Sequence, residues 1–478
     1  MYGNRYQELL PIFGTTTILL LTISFASVAS AKGLNMVSEK KGIHPKLESV
    51  LTELQEEYEK NTVTGQEFAM KRDIRVKDQD KVTVFLISEI GKTTDAIDKK
   101  LLRAYGANII KSADNVLKAD VPINRLRQIA DVKAISYIRL PDRPVPLTQS
   151  QGVSLTGASS YHSAGYTGSG VKVAVIDLGF AGLSSAISSG ELPSNVVKVD
   201  CTGISCVSTD FSLETGKHGT GVAEVVYDMA PGAQLYLIKI DDRLDLKDAK
   251  DYCISNGIKI INHSVAWSNT NFYRGECYNV NPVCTADKAY SNGILWVNSI
   301  GNAAKGHYEG TFTDSDGDGW HNVSANDETI NISATAGDTI EVAITWNAWP
   351  TTNQDYDFYL YNSSLTEVLA SSLNRQTGTQ SPTESISYSV PNTGTYYLSI
   401  YKYNATSNHQ LEVYSWNHDL TPAVASSSLS NPADAAGVMA VAAIGYWFWT
   451  TGPQESFSSQ GPTNDGRTKP EISGPDYV

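Results

Sequence analysis

Hydrophobic positions along the chain follow three different patterns, and each pattern predicts a different kind of structure. Beyond residue 150, short and fully apolar runs alternate with stretches of helical periodicity. Strands are predicted over 171–177, 234–240, 258–264 and 294–300, and helices from His218 to Pro231-Gly232 and over 245–256 and 285–291. This alternation predicts the α/β class, with a parallel sheet that carries helices on both faces.

The chain before residue 150 has the pattern of a smaller α+β unit. Five apolar residues recur at helical spacing and predict an amphipathic helix. They are Leu47, Val50, Leu51, Leu54 and Tyr58. Strands and helices then follow in the order β-α-β-β-α-β over about 80–140, which suggests a ferredoxin-like unit. The prolines between 141 and 146 predict a stiff linker.

Residues 305–418 have a third pattern, made of strands without helices. Apolar and polar residues alternate over 340–346 and 397–401, and turn residues separate such runs. This pattern predicts a β-sandwich. Because Val438–Ile444 returns to the pattern of a buried strand, the sandwich is expected to interrupt an α/β domain that occupies 151–304 and continues over 419–478.

The N-terminus has the organisation of a secretory signal peptide. Arg5 precedes a short apolar run around Ile18–Phe25, which ends in the small-x-small sequence Ala29-Ser30-Ala31. Cleavage after Ala31 would give a protein that is secreted or extracytoplasmic and meets the membrane only through residues 1–31. The alternative is an uncleaved membrane anchor, for which the run is short.

Export permits disulfide bonds, and the five cysteines suit two local bridges. Cys201 and Cys206 flank a four-residue loop, and Cys277 and Cys284 flank a six-residue loop. Cys253 is left over in a helical stretch, where a small buried side chain is expected. The spacing matches no zinc-binding pattern.

Charge excludes one class of partner and suggests an internal contact. The net charge of -14 argues against nucleic acid. Residues 32–150 carry 21 basic and 17 acidic side chains, a balance of +4, whereas residues 151–478 carry 15 and 33, a balance of -18. These two segments are expected to attract each other.

Three polar positions stand where catalytic groups of α/β proteins gather. Asp177 ends a buried strand, His218 opens a helix beside glycines, and Asn302 follows the strand that ends near Ser299. Each of these residues, taken alone, can also be explained as a cap or a turn residue.

Together and in this order, the three motifs resemble those of the subtilisin-like serine proteases. The Asp motif matches at Val173–Gly179, the His motif at His218–Glu224, and the Asn motif at Gly301-Asn302. Residues 260–265 are similar to the substrate-binding strand of the family, and residues 457–472 to the stretch that leads into its nucleophile motif. The resemblance implies a subtilisin-like parallel sheet and a secreted endopeptidase that hydrolyses peptide bonds of protein or peptide substrates.

The resemblance also implies roles for individual residues. His218 would take the proton of a serine nucleophile, Asp177 would hold the imidazole, and Asn302 would donate a hydrogen bond to the oxyanion. Catalysis would need no cofactor. The substrate-binding positions that match the family are Ser264, Val265, Ala266, Ser299, Ile300 and Gly301.

The nucleophile motif of the family, Gly-Thr-Ser, does not occur in residues 1–478. We therefore expect this sequence to be a fragment of a longer product and to be inactive by itself; an inactive homologue is the alternative. A competing hypothesis is a non-catalytic secreted binding protein, in which the sandwich engages a glycan or protein.

Three further expectations concern regions outside the catalytic motifs. Residues 80–140 resemble the inhibitory propeptide of the family, and the whole propeptide, expected to span residues 32–150, would act as an intramolecular inhibitor. Asp314, Asp316 and Asp318 alternate before a glycine, as in loops that bind calcium. Ala325 stands where the twelfth-position acid is expected, with Asp327 and Glu328 nearby, and the alternative is a solvated acidic turn. The sandwich resembles the pre-peptidase C-terminal domain of secreted proteases.

Overall fold

The computed structural model describes residues 44–72, 74–141, 145–146, 152–325 and 327–477. The expected signal peptide, residues 1–31, lies outside the described residues, as does most of the linker after Pro141. In the part of the chain that is described, no helix combines the length and the apolar character needed to cross a bilayer.

The N-terminal unit, residues 44–141, forms one antiparallel sheet with helices packed against it. Its elements are α1 Ser49–Lys60, α2 Thr62–Lys71, β1 Val76–Lys77, β2 Lys81–Ser88, α3 Lys99–Ala104, β3 Asn108–Ala113, β4 Val116–Pro122, α4 Leu126–Ala130 and β5 Ile135–Arg139. The strands lie in the order β3-β4-β2, and β5 and the short β1 both pair with β2. The helical segment at the start of this unit is divided into α1 and α2, because Asn61 has extended backbone angles and its side chain accepts from Thr64 N–H at the start of α2.

The first part of the α/β region follows. Its elements are β6 Val145–Pro146, α5 Ala158–Ser163, β7 Lys172–Asp177, α6 Leu183–Ser189, β8 Val197–Asp200, β9 Val207–Ser208, α7 His218–Met229, β10 Gln234–Lys239, α8 Arg243–Ser255, β11 Ile260–His263, β12 Val265–Ala266, α9 Pro282–Ser291 and β13 Leu295–Ser299. α8 begins with a capping box between Asp242 and Asp245, and α9 is capped by Asn281 with Pro282 in its first turn.

Nine strands then form two antiparallel sheets. They are β14 His307–Thr311, β15 Ile330–Ala334, β16 Thr339–Trp346, β17 Asp355–Tyr361, β18 Val368–Ser372, β19 Thr383–Ser389, β20 Gly394–Asn404, β21 Gln410–Ser415 and β22 Leu420–Thr421. One sheet has the order β14-β21-β16-β19 and the other the order β18-β17-β20-β15-β22. Alternate side chains of both sheets, among them Ile344, Phe358 and Val413, meet in one buried cluster.

The chain then returns to the main sheet with β23 Val438–Gly445 and β24 Ile472–Asp476. The strand order of this sheet is β24-β23-β13-β11-β7-β10-β8-β9, and neighbours pair in parallel except for β8 with β9. β13 and β23 are adjacent although residues 300–437 separate them. A mixed α/β fold built on a parallel sheet, as the sequence predicts, is therefore present.

Both predicted disulfide bonds are formed, Cys201–Cys206 and Cys277–Cys284. Cys253 is a free thiol on α8 and is fully buried. Burial raises the pKa of this thiol, because the thiolate would lose its hydration. Cys253 therefore behaves as a core residue.

Candidate active site

Asp177 and His218 meet at the carboxyl edge of the parallel sheet. Asp177 ends β7, and its side chain is fully buried. Its Oδ1 accepts a hydrogen bond from the backbone N–H of Leu178 at 2.8 Å, and its Oδ2 lies 2.8 Å from Nδ1 of His218. Because an ionised carboxylate can only accept, the proton between the two side chains belongs to Nδ1, and Nε2 is the basic nitrogen of the neutral imidazole.

The start of α7 is held close to the end of β7 by a glycine. The N–H of Gly219 donates to the carbonyl oxygen of Gly179 at 3.1 Å. A Cβ on Gly219 would lie only 2.7 Å from that oxygen and 2.8 Å from Cβ of Asp177. Any larger residue after His218 would therefore push the imidazole away from its carboxylate.

A second histidine, to which sequence reasoning gave no role, lies beneath this pair. His263 ends β11 and is fully buried; its Nδ1 lies 3.0 Å from the carbonyl oxygen of Ile176, and its Nε2 accepts from the indole N–H of Trp267 at 3.2 Å. Nδ1 must therefore carry the proton. His263 thus links the end of the strand that carries Asp177 to Trp267, and the signal for it was a histidine inside an apolar run.

Burial lowers the pKa of His263 to about 4, because the imidazolium form would lose its hydration. The unfolded chain, with an ordinary histidine pKa, takes up this proton first as the pH falls. The free energy of unfolding is therefore expected to decrease as the pH falls from about 6.5 to about 4. The contribution of this group to the decrease is at most about 1.4 kcal/mol per pH unit.

Urea unfolding at pH 7, 6 and 5 measures this dependence. His263→Gln, which can keep both hydrogen bonds but does not titrate, is expected to flatten it, whereas His162→Gln, at a more exposed site, is expected to leave it unchanged. Equal slopes for the wild type and His263→Gln would contradict the assignment of a neutral, buried His263.

The predicted substrate-binding strand has a partner in the structure. β12, Val265–Ala266, pairs antiparallel with β6, so that Val265 is opposite Pro146 and Ala266 is opposite Val145. Ser264 precedes β12, and its hydroxyl is bonded to the side chain of Asn262. The backbone edge of β12 is therefore able to bind an extended peptide.

Asn302 lies at the mouth of a cavity of about 250 Å³ beside this strand. The cavity is also lined by Ser264, Ser299 and Gly301, and on another side by valines of α7, the helix that His218 opens. Asn302 is exposed, so its amide is available to a bound group. Gly301, at φ +120°, gives the strand end its turn, and a Cβ there would lie 2.8 Å from Oγ of Ser459.

Ile300, one of the predicted substrate-binding residues, has a side chain that faces the protein core. Its side chain is 1% exposed and packs in a core cluster with Leu429, Ala433, Ala440 and Ala442. Contact between residue 300 and a substrate would therefore involve its main chain.

The three aspartates of the predicted calcium loop lie elsewhere, in the connection between β14 and β15. Carboxylate oxygens of Asp314, Asp316 and Asp318 lie within 4.8 Å of one another. Such a group of oxygens suits a hard cation.

Comparison with known proteins agrees with this geometry. Residues 168–397 match the model of the subtilase family. Subtilisin E of Bacillus subtilis (strain 168) is 32% identical over 168 residues, which cover 32% of this chain and 39% of that protein. An alkaline protease of Shouchella clausii is 28% identical over 191 residues, covering 36% and 45%.

The matches therefore span less than half the length of these curated relatives. Among solved structures, the CspB protease of Clostridium perfringens superposes with a TM-score of 0.44 and 11% identity, covering 68% of this chain and 80% of that one.

Proposed function

We propose that the protein is a subtilisin-like serine endopeptidase that hydrolyses peptide bonds of proteins. The observation that carries this proposal is the 2.8 Å contact between buried Asp177 and His218 at the carboxyl edge of a parallel sheet. The family match over residues 168–397 supports it. A purely non-catalytic binding protein would not require a buried carboxylate that orients an imidazole.

The geometry supports the following mechanism. Nε2 of His218 takes the proton of a serine hydroxyl as its Oγ attacks the substrate carbonyl carbon, and the resulting imidazolium is stabilised by Asp177. Asn302 donates a hydrogen bond to the oxyanion. When the C–N bond breaks, Nε2 gives its proton to the leaving amine, and water then hydrolyses the acyl-enzyme by the same steps.

The nucleophile is proposed to be the serine of a Gly-Thr-Ser motif, which residues 1–478 do not contain. Three serines line the cavity, and none lies in such a motif: Oγ of Ser264 is bonded to Asn262, Oγ of Ser458 accepts from the N–H of Ala443, and Oγ of Ser299 is buried without a partner among the described residues. The 478-residue chain is therefore expected to show no turnover of casein or a chromogenic peptide, whereas a longer form with the motif is expected to be active. Turnover by the 478-residue chain that His218→Ala abolishes would contradict this assignment.

The domain division and the role of the N-terminal unit are also proposed. Residues 32–150 would be an inhibitory propeptide, 151–304 and 419–478 the catalytic domain, and 305–418 an inserted sandwich. Two contacts support inhibition: β6 occupies the edge of β12, where a substrate strand would bind, and the N-terminal unit packs on α8. A product-like strand at that edge would exclude substrate.

Secretion is proposed from the cysteines. Both disulfide bonds are of the kind that persists in oxidising compartments, in agreement with the signal sequence expected at 1–31.

A structural calcium ion is proposed at Asp314, Asp316 and Asp318. The nearness of their carboxylates supports this site. Its role would be to stabilise the sandwich, with no part in the reaction.

A further inference from the structure

The first turn of α1 is capped by a residue of the sandwich. α1 begins at Ser49, whose backbone N–H is one of the donors that an α-helix leaves without an internal acceptor. This N–H donates to Oδ1 of Asn374, 325 residues later in the chain, at 2.6 Å. The N-cap residue itself, Glu48, uses its carboxylate to accept from the N–H of Leu140 at 2.6 Å. The start of this helix therefore takes its cap from a side chain outside the N-terminal unit.

The contact at Ser49 is reciprocal and buried. Oγ of Ser49 accepts from the backbone N–H of Leu373 at 3.2 Å, next to the bond that Asn374 makes in the other direction. Ser49, Leu373 and Asn374 are 1%, 3% and 5% exposed. Because water does not reach polar groups buried to this extent, removing one partner leaves the other without a hydrogen bond. The two bonds therefore make the contact between the N-terminal unit and the sandwich specific.

A buried carboxylate of β19 fixes the orientation of Asn374. Nδ2 of Asn374 donates to Oε2 of Glu384 at 2.8 Å, and its backbone N–H donates to the same oxygen at 3.2 Å. Glu384 is 1% exposed, and its Oε1 accepts from Nε2 of Gln376 at 2.8 Å. Because Nδ2 is directed to a carboxylate, Oδ1 is the amide atom that faces Ser49. The sandwich therefore presents a preorganised acceptor to α1.

The same face of the sandwich contacts the N-terminal unit at two further points. Nε2 of Gln380 donates to the carbonyl oxygen of Pro45 at 3.3 Å, and Oε1 of Gln380 accepts from the N–H of Thr377 at 2.8 Å. Oγ of Ser389, at the end of β19, lies 3.5 Å from the carbonyl oxygen of Met70 in the last turn of α2. The contact thus extends from the residues before α1 to the end of α2.

The sandwich is itself fixed to the α/β region close to this face. Nδ2 of Asn269 donates to the carbonyl oxygen of Glu384 at 3.3 Å in the interior. The ring of Tyr278 stacks on that of Trp349, with centroids 6.0 Å apart and an interplanar angle of 8°. Asn269 and Tyr278 both belong to the connection between β12 and α9. The acceptor site around Asn374 is therefore held in place relative to the α/β region.

We infer that the sandwich is a second anchor for the N-terminal unit, which must be released at Asn374 as well as at α8 before the unit can leave. The inference rests on the proposed role of this unit as an inhibitor, and it assigns a function to the sandwich. Leu51 and Leu54 of α1 pack in the same core as the strands of the N-terminal unit, so the unit meets both surfaces as one body. Two contacts made by one body reinforce each other, because the second forms within the complex that the first has made.

The test measures how tightly the N-terminal piece stays bound after the full chain is cut at a sequence-specific protease site placed within residues 147–151. Ser49→Ala removes the acceptor of the Leu373 N–H and is expected to raise the dissociation constant at least about tenfold, because a buried donor is left unpaired. Asn374→Ala, which removes the acceptor of the Ser49 N–H, is expected to have an effect of similar size.

Ser112→Ala and Asn408→Ala are the matched controls. They make the same truncations at exposed positions of the N-terminal unit and of the sandwich, and each is expected to change the dissociation constant by less than about twofold. Circular dichroism of the uncut variants shows whether the fold is retained. Ser49→Ala leaves the sandwich unchanged and places alanine in the first turn of a helix, which alanine favours, so it decides the test if Asn374→Ala disturbs the fold.

The outcomes separate the anchor from the inhibitory role. A change of less than about threefold for Ser49→Ala would overturn the anchor and leave the proposed inhibition by the N-terminal unit standing. If Ser49→Ala weakens binding as expected but the N-terminal piece, added to an active form of the protein, does not inhibit peptide hydrolysis, the anchor stands and the inhibitory role is overturned.

Discussion

Replacing Asp177 with asparagine is expected to lower the kcat of peptide hydrolysis by about 10⁴-fold in the active form of the protein. Asparagine has nearly the same shape, but its amide N–H₂ can donate to Nδ1 of His218. The imidazole would then carry its proton on Nε2 and could not accept one from the serine. The substitution would also remove the negative charge that stabilises the imidazolium.

Asp200→Asn is the matched control for this prediction. Asp200 also ends a parallel strand of the same sheet, β8, and its Oδ1 is bonded to Thr202 N–H and Oγ1. Steady-state kinetics should show a kcat for this control within about twofold of the wild type, because no charge near His218 changes. A loss of less than tenfold for Asp177→Asn would contradict the role assigned to Asp177.

The second large effect concerns the contact between the N-terminal unit and α8. Nζ of Lys111 lies 2.7 Å from Asp245 and 3.0 Å from Asp248, and Nζ of Lys118 lies 2.5 Å from Asp242. Lys111 and Lys118 are 8% and 6% exposed. Removing one partner of such a pair leaves the other charge buried and uncompensated.

Lys111→Met is therefore expected to weaken docking of the N-terminal unit by about 10²- to 10³-fold, equivalent to about 3–4 kcal/mol. A sequence-specific protease site placed within residues 147–151 allows the chain to be cut, and the dissociation constant of the two pieces can then be measured. The lysine is changed, and not Asp242 or Asp245, because those residues also cap α8.

Lys133→Met, at an exposed position of the same unit, is the control for this experiment. It removes the same charge without uncovering a buried carboxylate, so its dissociation constant is expected to change by less than about threefold. Equal weakening by both variants would show that docking depends on net charge alone and not on the buried pairs.

The sequence was most informative where a local pattern determines the structure. The apolar run before Asp177 and the helix start at His218 placed both residues at the ends of their elements, and the carboxyl edge of a parallel sheet then brings them together. The pairing of the cysteines could be predicted equally well from the sequence, because short loops limit which partners can meet.

Features that depend on distant partners were not predicted. The opposite charges of residues 32–150 and 151–478 indicated an attraction, but no local signal selects Lys111 among the lysines of its unit. The role of His263 depends on Ile176, 87 residues away in sequence. The amphipathic helix predicted from Leu47–Tyr58 corresponds largely to α1, and the second helix, which begins after the capping side chain of Asn61, was not predicted.

Labelling with a fluorophosphonate tests the central claim most directly, that Asp177 and His218 activate a serine. In a form of the protein that carries the proposed Gly-Thr-Ser motif, the serine of that motif is expected to be the labelled residue, and His218→Ala is expected to abolish the labelling. Labelling that survives His218→Ala, or that maps to a serine within residues 1–478, would contradict the account.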